Sequence, residues 1–158
     1  MKEERLLYAK RVILLALLYA ATGKMGLWLA LPPGYATMIW PPSGVALGML
    51  ILYGSGLWPG IFVGSFLLNA YTSGAYSVEH GSITLKLAVA VAIAAASSLQ
   101  ALAGWTLTRR LFGIPLQLNR LRDAALLFLL CGPITCLIAA STGVSALYIA
   151  HMVAPEQF

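Results

Sequence analysis

Five consecutive residues, Trp40-Pro41-Pro42-Ser43-Gly44, hold the chemistry this sequence has most scope for, and it is binding rather than bond-making. They sit inside the apolar stretch ATMIWPPSGVALGMLILYG, residues 36–54. Proline has no N–H donor and clashes with the preceding turn, so a proline pair interrupts a helix. The pattern predicts a helix that starts near Ser43 and ends near Tyr53, with residues 35–42 in a non-helical form. Such a helix is about 16 Å long, roughly half the hydrocarbon thickness of a bilayer. Non-helical backbone survives at that depth only where neighbouring helices bury it or where it lines a wet cavity. A helix N-terminus held below the outer surface brings N–H groups and a positive dipole end, which suit an anion or a polar ligand group. Proline is tolerated in the first turn, and Ser43 is a candidate cap for the same end. Trp40 could wall the pocket with an apolar ring carrying one N–H. Trp58 joins it only if the pocket runs deep, and Asn69, near the outer end of the following segment, could bond the exposed backbone. Against this stands a plainer account: Trp40 and Trp58 as interfacial belt residues, and prolines that only set the direction of a helix.

Other polar residues in apolar surroundings have plainer readings. Gln100, with Ser97 and Ser98 beside it, is expected to bond a neighbouring helix, and Lys24 and Lys86 to snorkel toward a surface. Glu79, His80 and His151 read as solvated loop residues. Cys131 and Cys136, five apart, fall on different faces of a helix, too far apart for a disulfide, and read as ordinary buried thiols. There is no G-x-x-x-x-G-K-[ST] loop, no H-E-x-x-H and no cluster of carboxylates in the apolar segments. No catalytic residue, metal site or cofactor is expected, and the chain does not read as an enzyme by itself.

The elements that must position these residues are membrane helices. Of 158 residues, 60% are hydrophobic and 9% charged, with a mean hydropathy of +0.86. Soluble domains carry about 25% charged residues, so this chain cannot clothe a water-facing surface. Five apolar segments follow, at about Val12–Leu31, Tyr35–Tyr53, Leu57–Tyr71, Ile83–Leu107 and Ala124–Val153. A span needs about 20 residues; the first, fourth and fifth meet this, while the second and third are short or interrupted. The expected fold is an all-α, polytopic transmembrane helix bundle whose second helix is broken by proline. Pro133 should kink the fifth segment, and Ser141-Thr142-Gly143 should kink it again. Gly44 and Gly48, and Gly60 and Gly64, form two G-x-x-x-G motifs, which with the small residues Ala94–Ser98 are expected to pack helices closely.

Of ten basic residues, eight flank two segments: Lys2, Arg5, Lys10 and Arg11 before the first, and Arg109, Arg110, Arg120 and Arg122 between the fourth and fifth. Five spans place both groups on one side, which the positive-inside rule makes cytoplasmic. The net charge of +5 is thus an orientation signal and not a nucleic-acid footprint. The linker RRLFGIPLQLNRLRD, with Pro115 as a first-turn proline, reads as an interfacial helix or a helix start.

The run IWPPSGVALGMLILYGSGLWPGIFVGSFLLN resembles the type-one membrane-associated sensor (MASE1) family. The shared pattern is a W-P-x-x-G start at Trp40, Pro41 and Gly44, a turn at Gly54, a W-P-G start at Trp58, Pro59 and Gly60, then Gly64 and Asn69. The linker IPLQLNRLRD is also similar. The resemblance implies a single sensor-type domain over 1–158, of about eight helices in the family and so truncated here before its last ones. It implies a bacterial cytoplasmic-membrane protein with a cytoplasmic output domain such as a histidine kinase, diguanylate cyclase or phosphodiesterase. An unknown small ligand and a homodimer are the further partners it suggests, and the dipole end of the broken helix suits an anionic ligand. The turn Gly54-Ser55-Gly56 departs from the family, which often carries a basic residue there. The competing reading is a substrate-capture or transport subunit that uses the same broken helix as its site.

Overall fold

A computed structural model describes residues 2–29, 40–75, 83–113 and 121–149. All of the regular structure in the described residues is helical. The first apolar segment forms α1 (Lys2–Trp28), whose first three turns hold the charged N-terminal residues. The second forms the short α2 (Pro41–Tyr53), and a 3₁₀ turn (Ser55–Leu57) leads directly into α3 (Trp58–Ala75). The long α4 (Ile83–Phe112) follows, then α5 (Leu121–Leu129), a π-helical turn (Leu130–Ile134) and α6 (Thr135–Ile149). Three helical runs are long and apolar enough to cross a membrane: Lys2–Trp28, Ile83–Phe112 and Leu121–Ser145. These are the three the segment lengths single out.

The helices alternate in direction. Tyr8 near the start of α1 donates its hydroxyl to the Gly56 carbonyl at 2.9 Å, and the Arg11 guanidinium lies 4.6 Å from the centre of the Tyr53 ring. The end of α2 is therefore beside the beginning of α1. At the opposite end, the Lys24 ammonium stands 5.5 Å from the Tyr71 ring centre, placing the end of α3 beside the end of α1. A core of Leu15 and Tyr19 from α1, Ala46 and Leu50 from α2, Ile61 from α3 and Ala101 from α4 joins the first four helices, with Leu57 below it. Half of the most apolar window of α4 is buried, against 6% for the α5–α6 run, so α4 is central and α6 lies along its outside. That order suits a bilayer, where the outer face meets lipid instead of water.

Close approach between α1 and α3 depends on glycine. A Cβ at Gly60 would lie 2.7 Å from the Val12 carbonyl oxygen, and one at Gly64 would lie 2.7 Å from that of Ala16. This G-x-x-x-G is a packing seam. The other is not: Gly44 and Gly48 have nothing within 4 Å of a Cβ. The buried stripe of α2 is Pro42, Ala46 and Leu50. Gly44 and Gly48 are offset from it by two residues, about 200° round a helix of 3.6 residues per turn, and so face away.

Three further expectations are corrected. Helix α2 begins at Pro41 rather than near Ser43, because its first two positions use no N–H and accept both prolines. Cys136 is exposed within the chain, since it sits on the outer helix α6. No second break occurs at Ser141–Gly143, where α6 is continuous and the Thr142 hydroxyl bonds the Ile138 carbonyl at 2.7 Å. At Pro133 the helix does depart from α geometry. The ring displaces one intrahelical bond and the turn widens to the π form. Residues 35–39, the linker around Pro115, Glu79, His80 and His151 lie outside the described residues.

Candidate ligand site at the proline-started helix

The first turn of α2 is built from residues that give up donors. Pro41 and Pro42 have no N–H. The Ser43 N–H bonds back to the Trp40 carbonyl at 3.2 Å, and the Ser43 hydroxyl donates to the same oxygen at 2.8 Å. Trp40 is the N-cap residue, and no side chain caps this end, so Ser43 tightens the first turn and is not its cap. The turn keeps the positive dipole end but none of its three N–H positions is open to a ligand.

What shields this helix start is α1. A Cβ at Gly26 would meet the Trp40 ring at 3.3 Å and Cδ of Pro41 at 3.3 Å, and one at Gly23 would meet Cγ of Pro42 at 3.4 Å and the Leu68 side chain. Gly23 and Gly26 thus form a seat one helical turn long, into which the indole and both proline rings settle. Pro42 is fully buried there. Sequence reasoning missed these glycines. The signal was the G-x-x-G pair that follows the small residues Ala20-Ala21-Thr22 toward the end of the first span.

Leu68 brings Asn69 to the same end of the bundle. The Asn69 amide nitrogen donates to the Ser65 carbonyl at 2.8 Å and reaches the Ser65 hydroxyl at 3.4 Å. Ser65, 1% exposed, meets the Ser97 hydroxyl across the α3–α4 contact at 3.2 Å, and Ser97 donates to the Ile93 carbonyl at 2.9 Å. Asn69 therefore starts a polar chain into the α3–α4 seam, with its amide nitrogen turned onto its own helix. Gln100 bonds a neighbouring helix as expected, its Nε2 donating to Sγ of Cys136 on α6 at 3.2 Å. Lys24 is exposed and stacked on Tyr71, so it is a cation at this end, where Lys86 in the first turn of α4 also lies.

The candidate residues do not all converge. Trp40, Pro41, Pro42, Ser43 and Gly44 share one end of the bundle with Asn69. Trp58 opens α3 at the other end, 44% exposed, separated from Trp40 by the length of α2. Thirteen residues at about 1.5 Å each make that about 20 Å. Among the described residues no group of three or more His, Cys, Asp or Glu could hold a metal ion.

The W-P-x-x-G start, the second W-P-G start and the glycine seam now have both a pattern and a packing role. The MASE1 family profile matches residues 11–158. The chain belongs to the MASE1 family. MASE1 is a family of membrane-associated sensory domains, so a bilayer environment and a sensory class follow for this chain. No curated protein and no solved structure matches it significantly. In MASE1 terms, the W-P pair marks two helix starts at opposite ends of one α2–α3 hairpin, not two walls of one pocket.

Proposed function

We propose that this chain is the sensory input domain of a signalling protein of the bacterial cytoplasmic membrane, with its N-terminus in the cytoplasm. It passes a ligand or membrane signal to a cytoplasmic output domain of histidine kinase or diguanylate cyclase type. The observation that carries the reading is the seating of Trp40, Pro41 and Pro42 on Gly23 and Gly26, within a chain of a sensory family. A ligand can shift an equilibrium only by binding one arrangement better than the other. α2 suits that role. It is short, is buried along the single stripe Pro42, Ala46 and Leu50, and leaves its Gly44 and Gly48 face open.

The proposed ligand site is the start of α2 with Trp40, Pro41, Pro42, Ser43 and Gly44, and Asn69 beside it. Since the first turn offers no free N–H, recognition there rests on the apolar faces of Trp40 and the prolines. The dipole end and Lys24 would favour a negatively charged group. A ligand that displaces Trp40 from Gly26 tilts the outer end of α2, and the rigid helix carries that tilt to the turn at Gly54.

The test is the output activity of the full-length protein, read with and without its stimulus, in Trp40→Ala and Asn69→Ala variants. The expected result is membrane insertion at normal levels with the stimulus response reduced about tenfold or more, as for the loss of a central aromatic contact. A full response in both variants leaves the chain an anchor and overturns the reading.

A further inference from the structure

At the basic end of the bundle, away from the proposed ligand site, a cleft of about 420 Å³ opens between the end of α2 and the end of α4. Its lining is Ile51, Leu52 and Gly54 on one side and Trp105, Arg109 and Gly113 on the other. Both helices end at these glycines, whose φ values of 96° at Gly54 and 76° at Gly113 lie in the left-handed region that favours a residue without a side chain.

Two donors here have no acceptor among the described residues. The Arg109 guanidinium is stacked 5.4 Å from the Trp105 ring centre, and among the described residues no carboxylate pairs with it. The Trp105 indole N–H is buried and has no hydrogen-bond partner among the described residues. A second cleft, on the α1 side of the same turn, is different. It is lined by Arg11 and Tyr53 but also by Glu4, so it carries an acid of its own. Of these two clefts, the α2–α4 one combines an arginine with no acid among its described lining residues. Its mouth is apolar, with Leu52 73% exposed, on a protein that the bilayer surrounds. A cation and an unmatched N–H beside an exposed apolar flank fit an amphiphile with an anionic head.

We propose that this cleft is a binding site for the headgroup of an anionic phospholipid in the leaflet at the basic end. Phosphate oxygens pair with the planar guanidinium of Arg109 and accept the Trp105 N–H as the arginine moves with them, while the acyl chains lie along Leu52. Trp105 packs against the core that joins α1 to α4, so an occupied cleft bears on that core. The proposal stands on the membrane placement of the chain and is independent of the ligand reading at the other end.

The test is native mass spectrometry of the full chain released from nanodiscs of equimolar phosphatidylglycerol and phosphatidylcholine. The wild type should retain phosphatidylglycerol selectively. Arg109→Gln should lower that retention about tenfold, the loss of one charged hydrogen-bonding partner. Arg110→Gln, which removes the same charge one residue away and outside the cleft, should leave it unchanged. Leu52→Glu, which sets an acid at the mouth and keeps Arg109, should also abolish it, so a fold defect in one variant does not decide the matter. Equal retention of the two lipids, or equal losses in Arg109→Gln and Arg110→Gln, overturns the proposal. Displacement of the retained lipid by glycerol phosphate at equal concentration also overturns it, because the site would then belong to a soluble phosphate ester.

Discussion

At the residue scale, a hydrogen atom in place of a methyl group decides which helices can touch. Gly64 lets the backbone of α1 approach so closely that a Cβ would stand 2.7 Å from the Ala16 oxygen and 2.9 Å from Cβ of Tyr19. Neither neighbour is the free end of a flexible chain, so Gly64→Ala must push α1 and α3 apart. The expected cost is about 1–3 kcal/mol, the usual price of overpacking. Gly48→Ala meets nothing and replaces a poor helix former, so it should be neutral or stabilising by up to about 1 kcal/mol. Thermal unfolding in detergent, followed by circular dichroism, should rank Gly48→Ala at or above the wild type and Gly64→Ala well below it. The reverse order would mean that α2 packs through its glycine face. The two motifs share one pattern, G-x-x-x-G. What separates them is the phase of the buried stripe on each helix, and in α2 that phase is set by Pro42 fitting against Gly23, a contact between residues nineteen apart. Local pattern does not contain it.

At the element scale, the legible parts were those fixed by period and length. The three long spans, the short second helix and the disturbance at Pro133 follow from apolar runs and from the missing proline N–H. The start of α2 was misplaced by two residues, because a proline pair reads as a break before the helix when it can equally be its first turn. Of the candidate site, the Trp40–Gly44 cluster and Asn69 were legible as unusual polar or rigid residues in apolar surroundings. Their seat was not, since Gly23 and Gly26 acquire meaning only once α1 and α2 are side by side. The π turn Leu130–Ile134 also has a consequence for α6. One residue more per turn rotates everything after it by about 100° relative to an uninterrupted α-helix, and this rotation faces Cys136 toward Gln100. With Cys131 replaced by serine, a Gln100→Cys thiol, two bonds shorter than the glutamine that reaches Cys136, should therefore be bridged to Cys136 by a short bifunctional thiol reagent such as dibromobimane. Adding Pro133→Ala restores the N–H and permits an α turn, which should reduce the cross-linked fraction severalfold. Undiminished cross-linking would place the cause of the π turn elsewhere than in Pro133.

At the scale of the whole molecule, the short α2–α3 hairpin raises the question whether it crosses the bilayer or turns back inside it. α2 alone spans about 20 Å against roughly 30 Å of hydrocarbon. Its two ends are nevertheless tied to charged levels of longer helices. The turn at Gly54–Leu57 is bonded to Tyr8, Tyr53 lies under Arg11, and Gly54 shares a cleft with Arg109. Two arginines from α1 and α4 flank the turn, and an arginine at the middle of a bilayer is costly. Arg11 and Lys24, thirteen residues apart on α1, are themselves only about 20 Å apart along the axis, so snorkelling by both long side chains is what carries each charge to its surface. The turn therefore belongs at the boundary, on the side of Lys2, Arg5, Lys10, Arg11, Arg109 and Arg110, the side proposed above as cytoplasmic. The uncharged Gly54-Ser55-Gly56 needs no basic residue of its own, because Arg11 and Arg109 supply charge from either side. With Cys131 and Cys136 replaced by serine, Thr84→Cys at the start of α4 should react with a membrane-impermeant maleimide in intact cells. Ser55→Cys should react only after the membrane is opened from the cytoplasmic side. Labelling of Ser55→Cys in intact cells would mean that the hairpin re-enters from outside or that the bundle is inverted, and Thr84→Cys separates these, since it stays reactive in the first case and becomes protected in the second.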